Sequence, residues 1–240
     1  VERRGAEQGA AGRRPRRAGN AFELPEVVAE ELRAAEHREA PHGTRRSIRA
    51  PQFVEDRLAA AAKAYSADRY EEARAALLPV METVPGAPAA KELYGLTLYR
   101  LGRWREAARQ LRQLFGITGS YDQHPVIADC ERALGRLDQV TRLWDELRRA
   151  GVDREVLIEG RLVMAGALAD AGRLGEATAL LLPEAANRRN PDLGHLRQWY
   201  ALADLHERAG DLPRARELFA RVVRADPSDA GARDRLAALR

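Results

Sequence analysis

Over most of the chain, apolar residues recur at helical spacing in paired short segments, each pair joined by a turn-forming residue. The pattern is sharpest when that residue is aligned with a small one five places later. Asp68 and Ala73 lie in ADRYEEARAALLPV, Gly102 and Ala107 in LGRWREAARQL, and Gly135 and Val140 in LGRLDQVTRLW. Gly172 and Ala177 follow in AGRLGEATALL, and Gly210 and Ala215 in AGDLPRARELF. Positions 68, 102, 135, 172 and 210 are separated by 34, 33, 37 and 38 residues. A period of this size predicts one helix–turn–helix unit per repeat. The turn residue ends the first helix in a left-handed conformation, and the small residue lets two helix backbones approach closely. Pro85 and Pro227 end second helices. A helix pair leaves one apolar face uncovered, so each must stack on its neighbour. Units are expected at about 54–87, 88–120, 121–157, 158–195 and 196–229, with a polar-backed capping helix at 229–240 carrying Leu236 and Leu239. The two longer intervals place extra residues near Gly151–Arg154 and Asn187–Pro191, where longer helices or loops should alter the superhelix curvature.

The first fifty residues follow a different pattern. Residues 1–21 have almost no large apolar side chains and are rich in Gly, Ala and Arg, which predicts a disordered tail. Residues 22–40 are amphipathic, with Leu24, Val28, Leu32 and Ala35 at helical spacing among acidic residues and Pro25 near the start. Residues 41–51, PHGTRRSIRAP, read as a linker before a repeat region at 52–240. The amphipathic segment has two readings: a cap on the protein's own first repeat or groove, or a partner-binding helix on an arm.

The repeat resembles the tetratricopeptide repeat family, here as a bacterial protein of unassigned specific function. The last unit carries the fullest match, with Trp199, Leu202, Ala203, Gly210, Ala215, Phe219 and Pro227 in the family's places. The second matches with Tyr94, Gly95, Leu98, Ala107 and Leu111, and the first with Ala61, Ala73, Leu77 and Pro85. The third departs, with Val140 for the usual alanine and Trp144 for the usual Phe or Leu. The fourth lacks an aromatic residue at its opening. The resemblance spans residues 54–229, and implies an all-α, right-handed solenoid of about five helix pairs with a C-terminal cap. It also implies a concave groove, lined by the first helices, that takes an extended peptide or a helix from a protein partner.

Composition agrees with a helical protein. Ala, Leu, Arg and Glu dominate, and aromatic residues make up 5%. Net charge is +4, but residues 1–20 alone hold six Arg against two Glu, so the basicity belongs to the tail. A single cysteine, Cys130, excludes a disulfide framework within the chain. No secretory pattern or apolar run of membrane-spanning length appears, so a cytoplasmic location away from membranes is expected. The five histidines show no metal-ligand spacing. His195 and His206 are eleven residues apart on one expected helix, too far for one metal, and His206 falls at a packing position. Cys130 reads as a small buried residue. With no phosphate loop and no catalytic constellation, the expectation is a non-enzyme without cofactor or metal.

Mapping the family's groove places onto this chain gives Leu58, Ala62, Tyr65 and Ser66 in the first unit and Glu92, Leu96, Tyr99 and Arg100 in the second. The third offers Pro125, Asp129 and Arg132; the fourth, Leu162, Gly166, Ala169 and Asp170; the fifth, Arg197, Tyr200, Asp204 and Glu207. Some members clamp a C-terminal carboxylate with Lys and Asn at places that here hold Leu58 and Ala62, or Glu92 and Leu96, so that clamp is absent. The expected partner-binding residues are Tyr65, Leu96, Tyr99, Arg100, Asp129, Arg132, Arg197, Tyr200 and Asp204. The expected function is a protein–protein interaction scaffold or adaptor. The alternative is an RNA- or ribosome-associated factor whose tail, through Arg13, Arg14, Arg16 and Arg17, neutralises phosphates without stacking on bases.

Overall fold

The computed structural model describes residues 50–182 and 191–239. The expected tail, the amphipathic segment, residues 41–49 of the linker and the extra residues at 187–190 lie outside them. The described residues form eleven α-helices: α1 (Ala50–Ser66), α2 (Tyr70–Thr83), α3 (Pro88–Arg100), α4 (Trp104–Thr118), α5 (His124–Ala133), α6 (Leu137–Ala150), α7 (Arg154–Asp170), α8 (Leu174–Leu181), α9 (Leu193–Arg208), α10 (Leu212–Ala225) and α11 (Ala230–Ala238). They make five antiparallel pairs and a final single helix, an α-solenoid.

One backbone device makes all five intra-pair turns. Asp68, Gly102, Gly135, Gly172 and Gly210 have φ of 59°, 75°, 71°, 78° and 81°. At each, the turn residue's N–H donates to the carbonyl three residues back, as from Gly102 to Tyr99. The next N–H donates to the carbonyl five residues back, as from Arg103 to Leu98. Two otherwise unpaired carbonyls at the end of the first helix are thereby satisfied. Asp68 holds the same conformation without being glycine, and its carboxylate accepts the Tyr70 hydroxyl at 2.5 Å. Asn and Asp are the residues that tolerate this region best. Each second helix starts directly after the turn. Arg69, Arg103 and Arg173 pair there with the Glu three residues on, as Arg103 does with Glu106 at 2.8 Å.

The small residues five places beyond the turns, Ala73, Ala107, Val140, Ala177 and Ala215, are all fully buried. Leu77, Leu111, Leu181 and Phe219 pack with them in one continuous core. The irregular third unit is answered by its neighbour: Trp144 and Leu147 lie against Gly160 of α7. A Cβ at 160 would come within 2.4 Å of Leu147 Cδ1 and 3.5 Å of Trp144 Cε3. Large residues on α6 therefore need an absent side chain on α7. Extra length in that interval goes into α7, which has 17 residues against 13 in α3 and 10 in α5.

The two ends of the solenoid are closed differently. In repeats 2 to 5, the positions equivalent to 57, 60 and 63 of α1 are almost all covered by neighbouring helices. They hold Lys91, Tyr94 and Thr97; His124, Ile127 and Cys130; Arg161, Met164 and Ala167; and Trp199, Leu202 and Leu205. All are buried except the half-buried Arg161. Repeat 1 carries Arg57, Ala60 and Lys63 there, all exposed, so its outer side is already polar or small. At the other end α11 covers the last pair with the buried Gly231 and Ala232 and half-buried Leu236 and Leu239. Arg235 lies over the Phe219 ring at 5.2 Å.

Candidate functional site

Successive first helices, α1, α3, α5, α7 and α9, touch one another along the stack, whereas successive second helices make far less direct contact. The first helices are therefore the closely spaced inner layer, and their outward side chains form the concave face. Of the expected lining, Leu58 and Ala62 are only 3% and 9% exposed and belong to the core, as does Ala169, and Pro125 is buried. They turn toward their own helix pair. Tyr65, Leu96, Tyr99, Arg100, Asp129, Arg132, Arg197, Tyr200 and Asp204 are each half-buried.

Most of these residues are joined by bonds that cross from one repeat to the next. The Tyr99 hydroxyl donates to Asp129 Oδ2 at 2.6 Å, bridging α3 and α5. Burial, then the Asp129 charge, push that hydroxyl well above the ordinary tyrosine range, so it stays protonated and donating. Arg132 donates to Asp129 Oδ1 at 3.0 Å within α5 and through Nε to Asp170 Oδ2 on α7 at 2.7 Å. Burial works against the Arg132 charge, but Asp129 and Asp170 outweigh it and hold the proton more tightly. Arg208 of α9 donates to the Ala169 carbonyl at 2.8 Å and lies 3.5 Å from Asp170 Oδ1. The result is a ladder, Tyr99–Asp129–Arg132–Asp170–Arg208, across four repeats. Gly166 belongs to it: a Cβ there would sit 2.9 Å from Arg132 Cζ and Nη1, so the guanidinium lies directly on the α7 backbone.

The remaining groove charges are also engaged. Arg197 pairs with Glu159 one repeat earlier. Asp204 accepts from Arg235 of α11 at 2.8 Å, and Glu207 does so at 2.6 Å. Arg100 lies 3.6 Å from Asp68 and 4.8 Å above the Tyr70 ring. In the first two repeats the face is otherwise aromatic. Tyr65 meets Tyr70 edge-on at 5.4 Å, and Tyr99 meets Trp104 at 5.3 Å. Tyr200, in the fifth, packs edge-on against Phe219 at 5.3 Å.

The sequence reading overlooked Arg208 and Arg235. A signal was present: partners in this network sit close to one repeat apart, 38 residues for Arg132 with Asp170 and 31 for Arg235 with Asp204. It also overlooked Glu131, where the equivalent positions hold Ala64, Leu98, Leu168 and His206. Glu131 is 1% exposed and bonded to Arg112 at 2.6 Å and Arg136 at 3.1 Å.

Away from the concave face, an open cleft of about 280 Å³ lies between α4, α5 and α6, with Phe115, Ile127 and Leu143 as its apolar lining. His124 there is caged by Phe115 and Tyr121 at 4.6 and 4.5 Å, and burial keeps its basicity low. Cys130 is fully buried, and burial pushes its thiol up to about 12, which makes it unreactive. His195 completes a capping box with Asp192 at the start of α9, and His206 lies 3.4 Å from Asp211, so the two histidines serve separate ends of one helix. Among the described residues, no group of three or more His, Cys, Asp or Glu could hold a metal ion. No helix among them is long and apolar enough to cross a membrane.

Residues 196–239, which contain α10, α11 and most of α9, match the tetratricopeptide repeat family. The whole fold is similar to a thermophilic TPR protein of Thermus thermophilus, with TM-score 0.60, 20% identity, and coverage of 78% of this chain and 98% of that one. It is also similar to kinesin light chain TPR-like repeats of Podosopora anserina, with TM-score 0.57, 17% identity, and coverage of 74% and 97%. NprR, solved with its cognate peptide NprX, gives TM-score 0.55 at 15% identity over 89% of this chain and 65% of that one. Residues 196–239 thus carry a tetratricopeptide repeat, and the other described residues share the fold of such repeats. No protein of curated function matches its sequence.

Proposed function

We propose that this chain is a protein–protein interaction scaffold or adaptor, not an enzyme, and that it holds a peptide or helix of a partner protein against its concave face. The observation that carries the reading is the continuous inner layer of first helices, presenting Tyr65, Leu96, Tyr99 and Tyr200 half-exposed along its length. Tyrosine suits such a role because it buries a large area at low entropy cost and keeps a polar end. The layer is pre-organised by cross-repeat bonds, so little ordering cost falls on binding. NprR, of the same fold, holds a peptide, which supports the reading.

Site-specific photo-crosslinking tests it. A benzophenone side chain is placed at position 96 on the inner layer or at the exposed position 105 on α4. In lysate of the source cells, a protein partner is expected to crosslink from 96 and not from 105. Equal crosslinking from both positions, or capture only of RNA and only while residues 1–20 are present, would replace this reading with the polyanion one.

A further inference from the structure

The concave face is not uniform, and the difference limits what it can hold. From Asp129 onward its charged groups are bonded to one another, and the Arg132 guanidinium fills the space above Gly166 that a side chain would otherwise occupy. A ligand crossing this point would have to displace an arginine held by two carboxylates, at a cost of several hydrogen bonds to charged groups. Before Asp129 the surface is of another kind. It offers the rings of Tyr65, Tyr70, Tyr99 and Trp104 and the side chain of Leu96, all half-exposed. Its one arginine, Arg100, is already engaged by Asp68 and the Tyr70 ring. Glu92, also half-buried, accepts from Gln123 at 2.8 Å, and burial pushes its carboxyl upward toward the uncharged form. The Tyr70 and Tyr99 hydroxyls spend their protons on Asp68 and Asp129, which leaves their oxygens as acceptors.

We infer that the partner-binding site is confined to the concave surface of the first two repeats, ends at the Asp129–Arg132 pair, and takes an uncharged peptide segment bearing aliphatic or aromatic side chains. This rests on the concave-face reading and adds its footprint and chemistry. Apolar side chains of the segment meet Leu96 and the ring pairs, and its donors find the two hydroxyl oxygens. With Arg100 already paired with Asp68 and Glu92 held by the Gln123 amide, an ionic partner finds little free counter-charge there, so association depends little on salt.

The experiment is selection of a random-peptide phage library on the full-length chain, followed by anisotropy titration of a fluorescent synthetic copy of the most enriched sequence. The expected winner is uncharged and carries aromatic or aliphatic anchors. Its Kd should change by less than about twofold between about 50 and 500 mM NaCl. Leu96→Arg should weaken it by more than about tenfold, as removal of a central anchor does. Arg208→Ala, in the ladder, should leave it within about twofold. Circular dichroism confirms that both variants stay helical. An acidic or basic winner with a steep salt dependence, or loss of binding in Arg208→Ala while Leu96→Arg binds normally, overturns the inference but leaves the concave face as the binding surface. No enrichment over resin without the chain would remove both.

Discussion

The first two repeats and the last three share one backbone plan but hold their inner surfaces together differently. In repeats 1 and 2 the concave side is fastened by edge-on ring pairs, Tyr65 with Tyr70 and Tyr99 with Trp104, that tie each first helix to its own second helix. In repeats 3 to 5 the equivalent region is fastened mainly by ion pairs that cross between repeats, Arg132 with Asp170, Arg197 with Glu159, Arg208 with Asp170 and Arg235 with Asp204, beside one ring pair, Tyr200 with Phe219. Ring pairs within a repeat leave apolar surface free for another molecule. Ion pairs between repeats consume their groups. A solenoid can thus leave one stretch of its inner face open and tie another together across repeats, with no change in fold.

The sharpest way to break the comparison is to exchange one buried residue between its two sides. Leu98 of repeat 2 and Glu131 of repeat 3 occupy the same place, four residues before the turn, and are 0% and 1% exposed. Glu131 is tolerable because Arg112 and Arg136 reach it from the partly exposed surface. Leu98→Glu puts a carboxylate into the apolar core, and is expected to cost at least about 3–5 kcal/mol, enough to unfold the first repeats. Glu131→Leu should be neutral or stabilising by about 1 kcal/mol, because both arginines can turn to water. Urea unfolding midpoints check this, and a large loss from Glu131→Leu would mean the ion pairs carry stability a leucine cannot replace.

A smaller effect separates the arginines of the two regions. Arg132→Ala should cost about 1–3 kcal/mol, since it frees two carboxylates and a buried contact at once. Arg100→Ala should cost about 0.2–1 kcal/mol, the range of a single partly exposed pair. Gly166 gives an internal control. In the Arg132→Ala background, Gly166→Ala should stabilise by about 0.5–1 kcal/mol from helix propensity alone. With Arg132 present the same substitution pushes the guanidinium aside, and that gain should vanish. Additivity in this double-mutant cycle, read by thermal denaturation, would show that Arg132 does not depend on the open space over Gly166.

What could be read in the sequence follows from how local each feature is. The five turns depend on one residue each, and Asp68, Gly102, Gly135, Gly172 and Gly210 announce them. The packing alanines are equally local, and their positions in the repeat are enough to place Ala73, Ala107, Ala177 and Ala215 in the core. Which face a first-helix residue shows is set by how its own pair closes and by the neighbouring repeat, neither of which residue type alone reveals. Hence Leu58 and Ala62, taken for groove lining, are core. Charged residues were legible as surface but not as partners, because Arg132 and Asp170 stand 38 residues apart and meet only after stacking. Repeat arithmetic applied to charges, rather than only to small residues, would have paired them. The buried Glu131 lay hidden for the same reason: its arginines come from α4 and from the turn before α6.

The least disruptive test acts where α9 begins, at the entrance to the last repeat. Asp192 caps the helix by accepting the His195 N–H at 3.0 Å, and its other oxygen takes Arg154 at 2.8 Å. Partial burial alone would raise its pKa, but the His195 backbone, Arg154 and the His195 ring outweigh it and hold the carboxyl down at about 2. A carboxyl lowered by folding adds stability once pH exceeds its unfolded value near 3.8, and that contribution drains away as pH falls toward 2. Asp192→Ala should therefore cost about 1 kcal/mol at neutral pH, the usual value of a lost helix cap. The gap between the two proteins should narrow as pH falls below about 4 and close near 2. Because the carboxylate is half exposed, solvent already weakens its pairing with Arg154, so added salt should move the gap little. Asp122 precedes α5 but lies outside it and does not cap it, the N-cap position there being Gln123. Asp122→Ala should show no such pH-dependent gap. If it did, the capping account of the fifth repeat would fail, and the pH dependence would belong to the solenoid's overall charge instead.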